Sequence, residues 1–315
     1  MIDAVERRRI GRTSLGVSRL GVGGGSSFGR AGTQGANVLD AAWNAGLRYF
    51  DTAPLYGGGE SETRFGEALE RHSRNEYVLS TKVGRKAPKE FDYSAAGVAD
   101  SLAQSLLRLG LSRIDIVLIH DLDPDLHGQA FEQSFEVAMQ DGYPALAQLR
   151  DAGTIGAIGV GLKDWKVALR LALRGRLDCI MLAGGYTLLQ HGGLVELLPW
   201  CVDNDVSVLV AAPFNTGILA TGAIEGARYY YQPAPPEILQ RTRELASVCA
   251  RYAVPLAAAA LQFPLYHPAV ASVVVGHQSA QEVEENIALL RYSIPQALWS
   301  ELKDRELIPG DAPTP

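Results

Sequence analysis

The sequence predicts an α/β protein: a (β/α)8 TIM barrel with an N-terminal β-hairpin. Three observations carry this. Short β-rich runs and amphipathic helical stretches alternate eight times along the 315 residues. The runs are apolar on both sides, as parallel strands covered by helices must be. The length suits one closed barrel, and the open doubly wound alternative lacks its glycine fingerprint. Gly21-Val22-Gly23-Gly24-Gly25 does not keep the G-x-G-x-x-G spacing with an acidic strand end about 20 positions later.

In order along the chain, residues 9–17 (RIGRTSLGV) are polar and turn-rich and predict a small hairpin outside the main fold. Strands are expected at 19–23, 48–51, 77–82, 114–120, 155–160, 178–182, 206–211 and 270–275. Helices are expected between them. The stretch 38–45 has helical apolar spacing and stops at Gly46, a good C-terminal residue. The stretch 61–70 opens on a capping serine, Ser61, and sets Phe65, Ala68 and Leu69 on one side. The stretch 94–109 aligns Val98, Leu102, Leu106 and Leu109 before Gly110. Stretches 143–152, 166–173, 194–202, 238–252 and 280–290 complete the series, with an extra helix at 256–265 in the last crossover. No linker or low-complexity segment interrupts the pattern, so residues 1–315 are expected to form one domain, with 309–315 a disordered tail.

Composition narrows the function. Hydrophobic residues at 47% and charged residues at 20% are those of a globular protein with a full core. A net charge of −6, without a dense Lys/Arg cluster, argues against nucleic acid as a partner. Arg7-Arg8-Arg9 stands alone and is expected to be solvated. Cys179, Cys201 and Cys249 are widely spaced in apolar runs, which fits neither a disulfide framework nor a zinc site. With no signal-peptide h-region and no apolar run approaching membrane-spanning length, the expected location is the cytoplasm, with no membrane partner.

Three consecutive predicted strands end in a lone ionisable residue: Asp51, Lys82 and His120. Tyr56 follows on the loop after the first of them. In a barrel of this kind the active site lies at the C-terminal mouth, and adjacent strands are about 5 Å apart. Each residue alone has a bland explanation: a structural ion pair for Asp51 and Lys82, a satisfied core histidine for His120. Together their chemistry is coherent. A tyrosine with its ordinary pKa near 10 is a poor acid or base at neutral pH. A neighbouring ammonium favours the phenolate, and Lys82 can supply it. Asp51 keeps that buried ammonium charged and oriented. His120 can bond the reacting oxygen and help move its proton. The glycine run at Gly24 and Gly25 would let backbone come close to a ligand at the mouth.

These residues resemble the aldo-keto reductase superfamily, over almost the whole chain. The resemblance rests on Phe50-Asp51-Thr52-Ala53 followed by Tyr56-Gly57, on Ser80-Thr81-Lys82 and on Asp115-Ile116-Val117-Leu118-Ile119-His120, in that order. It implies a barrel binding an extended nicotinamide dinucleotide without a separate dinucleotide domain. It also implies Tyr56 as acid/base, supported by Lys82, Asp51 and His120. Cofactor contacts are implied at Gly24, Gly25 and Asp51, at Gly161 and Leu162 after the fifth strand, and at Ala183 after the sixth. Further contacts are implied at Ala211, Pro213, Phe214, Asn215, Gly217 and Leu219 after the seventh strand. After the eighth they fall at Gly276, Gln278, Glu282, Glu285 and Asn286. Several positions depart from the family pattern. Gly161-Leu162 replaces a usual Ser-Asn, Ala183 a usual Gln and Ala211 a usual stacking Tyr. Contacts there must be partly backbone or apolar.

The segment Gly276-His277-Gln278-Ser279-Ala280-Gln281-Glu282 has no Lys or Arg, where members preferring the phosphorylated cofactor place one. The resemblance therefore implies NAD in preference to NADP, and work in the oxidative direction. Phe91-Asp92-Tyr93-Ser94, His120-Asp121-Leu122-Asp123 and the segments at 182–189 and 212–219 resemble one branch of the superfamily. It holds NAD-dependent sugar dehydrogenases of the D-threo-aldose 1-dehydrogenase or L-fucose dehydrogenase type, with pyridoxal 4-dehydrogenases near by. The function implied is oxidation of the anomeric hydroxyl of a sugar to a lactone.

Tyr56, His120, Asp121, Phe28 and Asn215 are the expected substrate contacts. Asp121, Asp123, His127 and Asn215 either bond sugar hydroxyls or are simply solvated loop residues. Tyr229-Tyr230-Tyr231 either closes over the ligands or is a surface loop. Pyridoxal would call for an aromatic partner such as Phe28, Trp165 or one of those tyrosines. A non-catalytic, nucleotide-binding regulatory barrel is the rival of another class, and the intact tetrad argues against it. The oligomeric state stays open.

Overall fold

A computed structural model describes residues 1–25, 28 and 35–315. A two-stranded antiparallel hairpin, β1 (Arg7–Arg9) and β2 (Gly16–Ser18), precedes the barrel. Barrel strands β3 (Leu20–Gly23), β4 (Tyr49–Asp51) and β5 (Val78–Val83) follow. A small hairpin, β6 (Arg85–Ala87) and β7 (Glu90–Phe91), then leaves the mouth. The barrel continues with β8 (Ile114–His120), β9 (Ile155–Leu162), β10 (Cys179–Ala183) and β11 (Ser207–Ala211). A second small hairpin, β12 (Arg228–Tyr229) and β13 (Gln232–Pro233), comes before the last barrel strand, β14 (Val270–Gly276). The eight barrel strands pair in parallel and close, each within one or two residues of its sequence-predicted position.

The reason is visible in the burial. All six residues of β5 and all seven of β8 are buried, so both faces of each strand are covered. Outward side chains meet the helices in the larger core, which includes Phe50, Leu79, Val117 and Ile158. Inward ones, including Tyr49, Ile116, Leu118, Cys179 and Leu209, form a second, smaller cluster inside the barrel. Helices follow the expected signals in most places. In helix Ala95–Leu109 the Ser94 side chain accepts the Gly97 N–H at 3.1 Å, and Gly110 ends it at φ 65°.

Three expectations need correction. The hairpin of β1 and β2 is not outside the fold: Ile10 and Val17 are fully buried and join the cluster inside the barrel, stoppering its N-terminal end. Gly11 bonds to Ser207 Oγ at 2.9 Å, and a Cβ there would lie 2.5 Å from the Asp178 carbonyl oxygen. The 309–315 segment is not a disordered tail, since Ala312 is 1% exposed within the main core. Ser61 does not cap helix Glu60–Leu69, whose N-cap is Gly59. Its hydroxyl instead donates to the Gly24 carbonyl at 3.2 Å and lies 2.8 Å from Thr52 Oγ1, fastening the helix to the strand ends. No single described helix is long and apolar enough to cross a membrane.

The buried histidines give the fold a predicted pH dependence. Burial lowers the pKa of His267 from 6.5 to about 4 and that of His120 to about 3. The unfolded chain binds these protons first, so the stability held by the neutral imidazoles is complete above about pH 6.5 and is lost as pH falls towards the folded values. The thermal midpoint followed by circular dichroism should fall between about pH 6.5 and about pH 4. A midpoint that stays flat across that window would contradict neutral, buried rings.

Candidate active site

The pairing register brings the strand-end residues together. Asp51 lies opposite Ser80, Lys82 opposite Leu118, and His120 opposite Gly161. Residues alternate across a strand, so Ser80 and Lys82 share the inner face while Thr81 points out. Thr81 Oγ1 donates to buried Glu62 at 2.5 Å, and Arg108 Nε donates to the same carboxylate at 2.7 Å. This outer pair ties β5 to helices Glu60–Leu69 and Ala95–Leu109 and so steadies the strand that carries Lys82.

Lys82 Nζ donates to both oxygens of Asp51, at 2.9 and 2.7 Å, and to the Thr52 carbonyl at 2.8 Å. Ser80 Oγ donates to Asp51 Oδ1 at 2.6 Å and lies 3.1 Å from the Tyr49 hydroxyl. Burial alone would lower the Lys82 pKa, but Asp51 and the Tyr56 hydroxyl together raise it, so the ammonium persists. Its charge sits 4.8 Å from the centre of the Tyr56 ring.

Tyr56 is positioned by the turn behind it. Gly57, Gly58 and Gly59 take φ values of 64°, 65° and 97°, three left-handed residues in a row that side chains would oppose. This lets the chain reverse from the β4 end into helix Glu60–Leu69 while the phenol points at the mouth. Tyr56 is half-buried, and burial raises its pKa to about 12 despite the opposing pull of Lys82. The expected lowering by Lys82 is therefore present but outweighed. The His120 ring stands edge-on to Tyr56 with centroids 6.0 Å apart. Burial, with the Lys82 and Arg85 charges, outweighs Asp121 and keeps His120 neutral.

The remaining sequence-predicted residues divide. Asp121 is at the mouth, with φ 53°, its amide bonded to the Gly161 carbonyl at 2.8 Å and its carboxylate paired with Arg85. Phe28 is fully buried and stacks on Phe65 at 4.1 Å, so its ring is not free for a substrate. Asn215 is 2% exposed; it accepts from Thr187 Oγ1 at 2.6 Å and reaches the Gly184 carbonyl at 3.4 Å, pinning loops rather than facing a ligand. Leu219 is likewise a core residue. Asp123, 1% exposed, accepts the amides of Lys163 and Asp164 and holds the loop after β9. His127 lies 3.2 Å from both the Tyr93 hydroxyl and the Asp121 carbonyl oxygen. Tyr230 donates to the Gly184 carbonyl at 3.1 Å, so the tyrosine run bridges the loops after β10 and β11.

Sequence reasoning missed Arg85 and Tyr93 as parts of the site. Tyr93 OH donates to the His120 carbonyl at 2.8 Å, setting the backbone that carries the imidazole. Both lie in the loop after β5, where no periodicity marks them, and their partners are distant in sequence.

Glycines flank the tetrad at the mouth. A Cβ on Gly25 would stand 3.5 Å from the Tyr56 ring, and one on Gly161 3.7 Å from Lys82 Cε, so glycines keep both flanks of the tetrad open. Leu162 and Pro213 are buried beside the mouth, and Ala183, Ala211 and Phe214 are half-buried. Beyond Gly276, Asn286 is 7% exposed, and its carboxamide has no hydrogen bond among the described residues. Gln278 donates its amide to Glu282 Oε2 at 2.7 Å, and Ser279 Oγ accepts the Glu282 amide at 3.3 Å, so Glu282 also closes a helix cap. Glu285 accepts from the Gln281 side chain at 2.7 Å. The glycine flanks and the Asn286 carboxamide are compatible with a nicotinamide dinucleotide.

Comparison with known proteins identifies the family. Residues 19–305 match the Aldo/keto reductase family. The chain is 38% identical to D-threo-aldose 1-dehydrogenase of a Pseudomonas species, covering 86% of this chain and 88% of that one. It is 35% identical to pyridoxal 4-dehydrogenase of Microbacterium luteolum, covering 98% and 99%. The holo form of an aldo-keto reductase from Bacillus halodurans superposes with a TM-score of 0.77 at 26% identity, covering 96% of each chain. This chain therefore belongs to the aldo/keto reductase family, as an oxidoreductase acting on CH–OH groups with a nicotinamide cofactor.

Proposed function

We propose that the protein is an NAD-dependent aldose 1-dehydrogenase that oxidises the anomeric hydroxyl of a sugar of the L-fucose or D-threo-aldose type to its lactone. The observation carrying this reading is the Asp51–Lys82 pair set beside Tyr56 and His120 at one mouth. The similarity to D-threo-aldose 1-dehydrogenase supports the substrate class. When bound, the nicotinamide ring supplies the hydride acceptor. In its phenolate form, which the positive charge of Lys82 favours, Tyr56 takes the proton of the reacting hydroxyl. Asp51 keeps Lys82 charged, and His120, neutral, bonds the reacting oxygen and aims it. The carbon thus loses hydride, its hydroxyl loses a proton, and a carbonyl forms within the ring.

The choice of NAD rests on the charge at the far end of the mouth. No Lys or Arg occurs from Gly276 to Asn286, while Glu282, Glu284 and Glu285 do. A 2′-phosphate there would meet like charge and no cation. The free, buried thiols of Cys179, Cys201 and Cys249 support a reducing compartment such as the cytoplasm. A second reading, pyridoxal oxidation to 4-pyridoxolactone, is supported by the near-complete coverage of pyridoxal 4-dehydrogenase. It uses the same tetrad, but Phe28 is not available to stack on the pyridine.

Initial rates with L-fucose, D-arabinose, L-galactose and pyridoxal, each with NAD and NADP, test these readings. An aldose with NAD should give the highest kcat/KM; tighter NADP binding in a titration would sink the cofactor assignment. Tyr56→Phe should lower kcat by at least about 100-fold while NAD still binds. A nucleotide-binding regulator would show no turnover to lose. Because the phenol has a pKa of about 12, the phenolate fraction rises with pH below that value. Oxidative kcat/KM should accordingly increase from neutral towards alkaline pH, and a profile that falls there would exclude Tyr56 as the base.

A further inference from the structure

We propose that Arg85 and Asp121 form a reader for a hydroxyl on the carbon next to the one oxidised, so that the enzyme selects cyclic sugars bearing a vicinal diol. This rests on the reading of Tyr56 and His120 as the reacting centre and of an aldose as substrate.

The geometry begins at His120. Its Nδ1 is enclosed without a hydrogen-bond partner, which leaves Nε2 as the nitrogen for a ligand oxygen. Asp121 Oδ2, the oxygen that Arg85 holds, lies 3.4 Å from that Nε2, so the carboxylate stands directly beside the nitrogen that takes the reacting hydroxyl. A substrate whose reacting hydroxyl rests on Nε2 places the carbon next to it, and any hydroxyl there, within reach of the Asp121 carboxylate. Among the described residues Oδ1 accepts no hydrogen bond, and it is not fully buried.

Two features show that this carboxylate is held on purpose. Asp121 keeps a left-handed backbone at φ 53°, which turns its side chain back beside His120 instead of along the strand direction. Arg85 pairs with it, and Arg85 is itself fixed by donating to the Pro88 carbonyl at 3.0 Å and by lying over the Phe91 ring at 5.3 Å. Both partners are largely buried, with side-chain exposures of 14% and 17%. Ion-paired, Asp121 is an acceptor only, so its free oxygen calls for a donor such as a hydroxyl. Arg85 acts through Asp121 as a positioning residue. In the cyclic hemiacetal of pyridoxal, by contrast, the carbon next to the oxidised one belongs to the aromatic ring and carries no hydroxyl.

The test compares L-fucose with 2-deoxy-L-fucose, with NAD, in wild type, Asp121→Asn, Arg85→Met and Arg85→Lys. Asparagine is chosen because it tolerates the left-handed backbone. Wild type should favour the 2-hydroxy sugar in kcat/KM by at least about tenfold, the worth of a hydrogen bond to a charged group. Asp121→Asn and Arg85→Met should bring that ratio to within about threefold of unity, and Arg85→Lys should recover part of it. A merely structural role would lower both rates and leave the ratio standing. Equal use of the two sugars by wild type overturns the proposal, as does an unchanged ratio in variants that melt like wild type. Turnover of aldoses without discrimination would remove only the vicinal reader. If no aldose is oxidised while pyridoxal is, in a Tyr56-dependent way, the aldose reading fails and this proposal with it.

Discussion

The ion pair between Lys82 and Asp51 is the interaction on which the mouth of this barrel depends. Its side chains are 2% and 4% exposed, so neither charge can turn to water for relief. Removing one partner from such a pair typically costs about 3–5 kcal/mol, whereas replacing both with apolar groups is often neutral. Stability alone is therefore a weak reason to keep it. The pair demands that β4 and β5 hold their register, because a shift of one residue would turn Lys82 to the outer face. It also turns the ammonium's donors to Asp51 and Thr52 while holding its charge beside Tyr56.

That charge competes with dehydration, and in the free protein dehydration wins at both titrating rings. Tyr56 is pushed up to about 12 and His120 down to about 3, so both stand neutral beside a permanent ammonium. A neutral imidazole can donate at one nitrogen and accept at the other, which an imidazolium cannot. The site thus holds one fixed cation and two neutral groups able to exchange a proton with a hydroxyl. Arg85 contributes by offsetting Asp121, whose carboxylate would otherwise favour a charged His120.

The parts of this arrangement that could be read from the sequence are those tied to periodicity. Strands apolar on both faces declared themselves, and Asp51, Lys82 and His120 stood out because each interrupts such a run at its end. Tyr56 followed from the glycines behind it. Side chains on loops did not declare where they point. Phe28 looked like a ring for stacking on a substrate and packs on Phe65; Asn215 looked like a contact and clamps Thr187 to Gly184. Ser61 has the chemistry of a cap but serves the strand ends instead. Arg85 finds Asp121 across 36 positions of chain, a pairing no local spacing announces. Ala312 and the β1–β2 hairpin do not announce their burial locally, because short polar segments with one or two apolar residues look solvated until a core receives them.

The hairpin that stoppers the barrel gives the molecule a front and a back. Ile10 and Val17 fill the end away from the tetrad, while the Ile2 amide donates to the Leu290 carbonyl at 3.0 Å, anchoring the first residues beside that same end. Met1, 92% exposed, emerges there. A support, electrode or fluorophore coupled through the first residue would hold the protein by its sealed pole and leave the mouth, with every loop that chooses the substrate, facing outward.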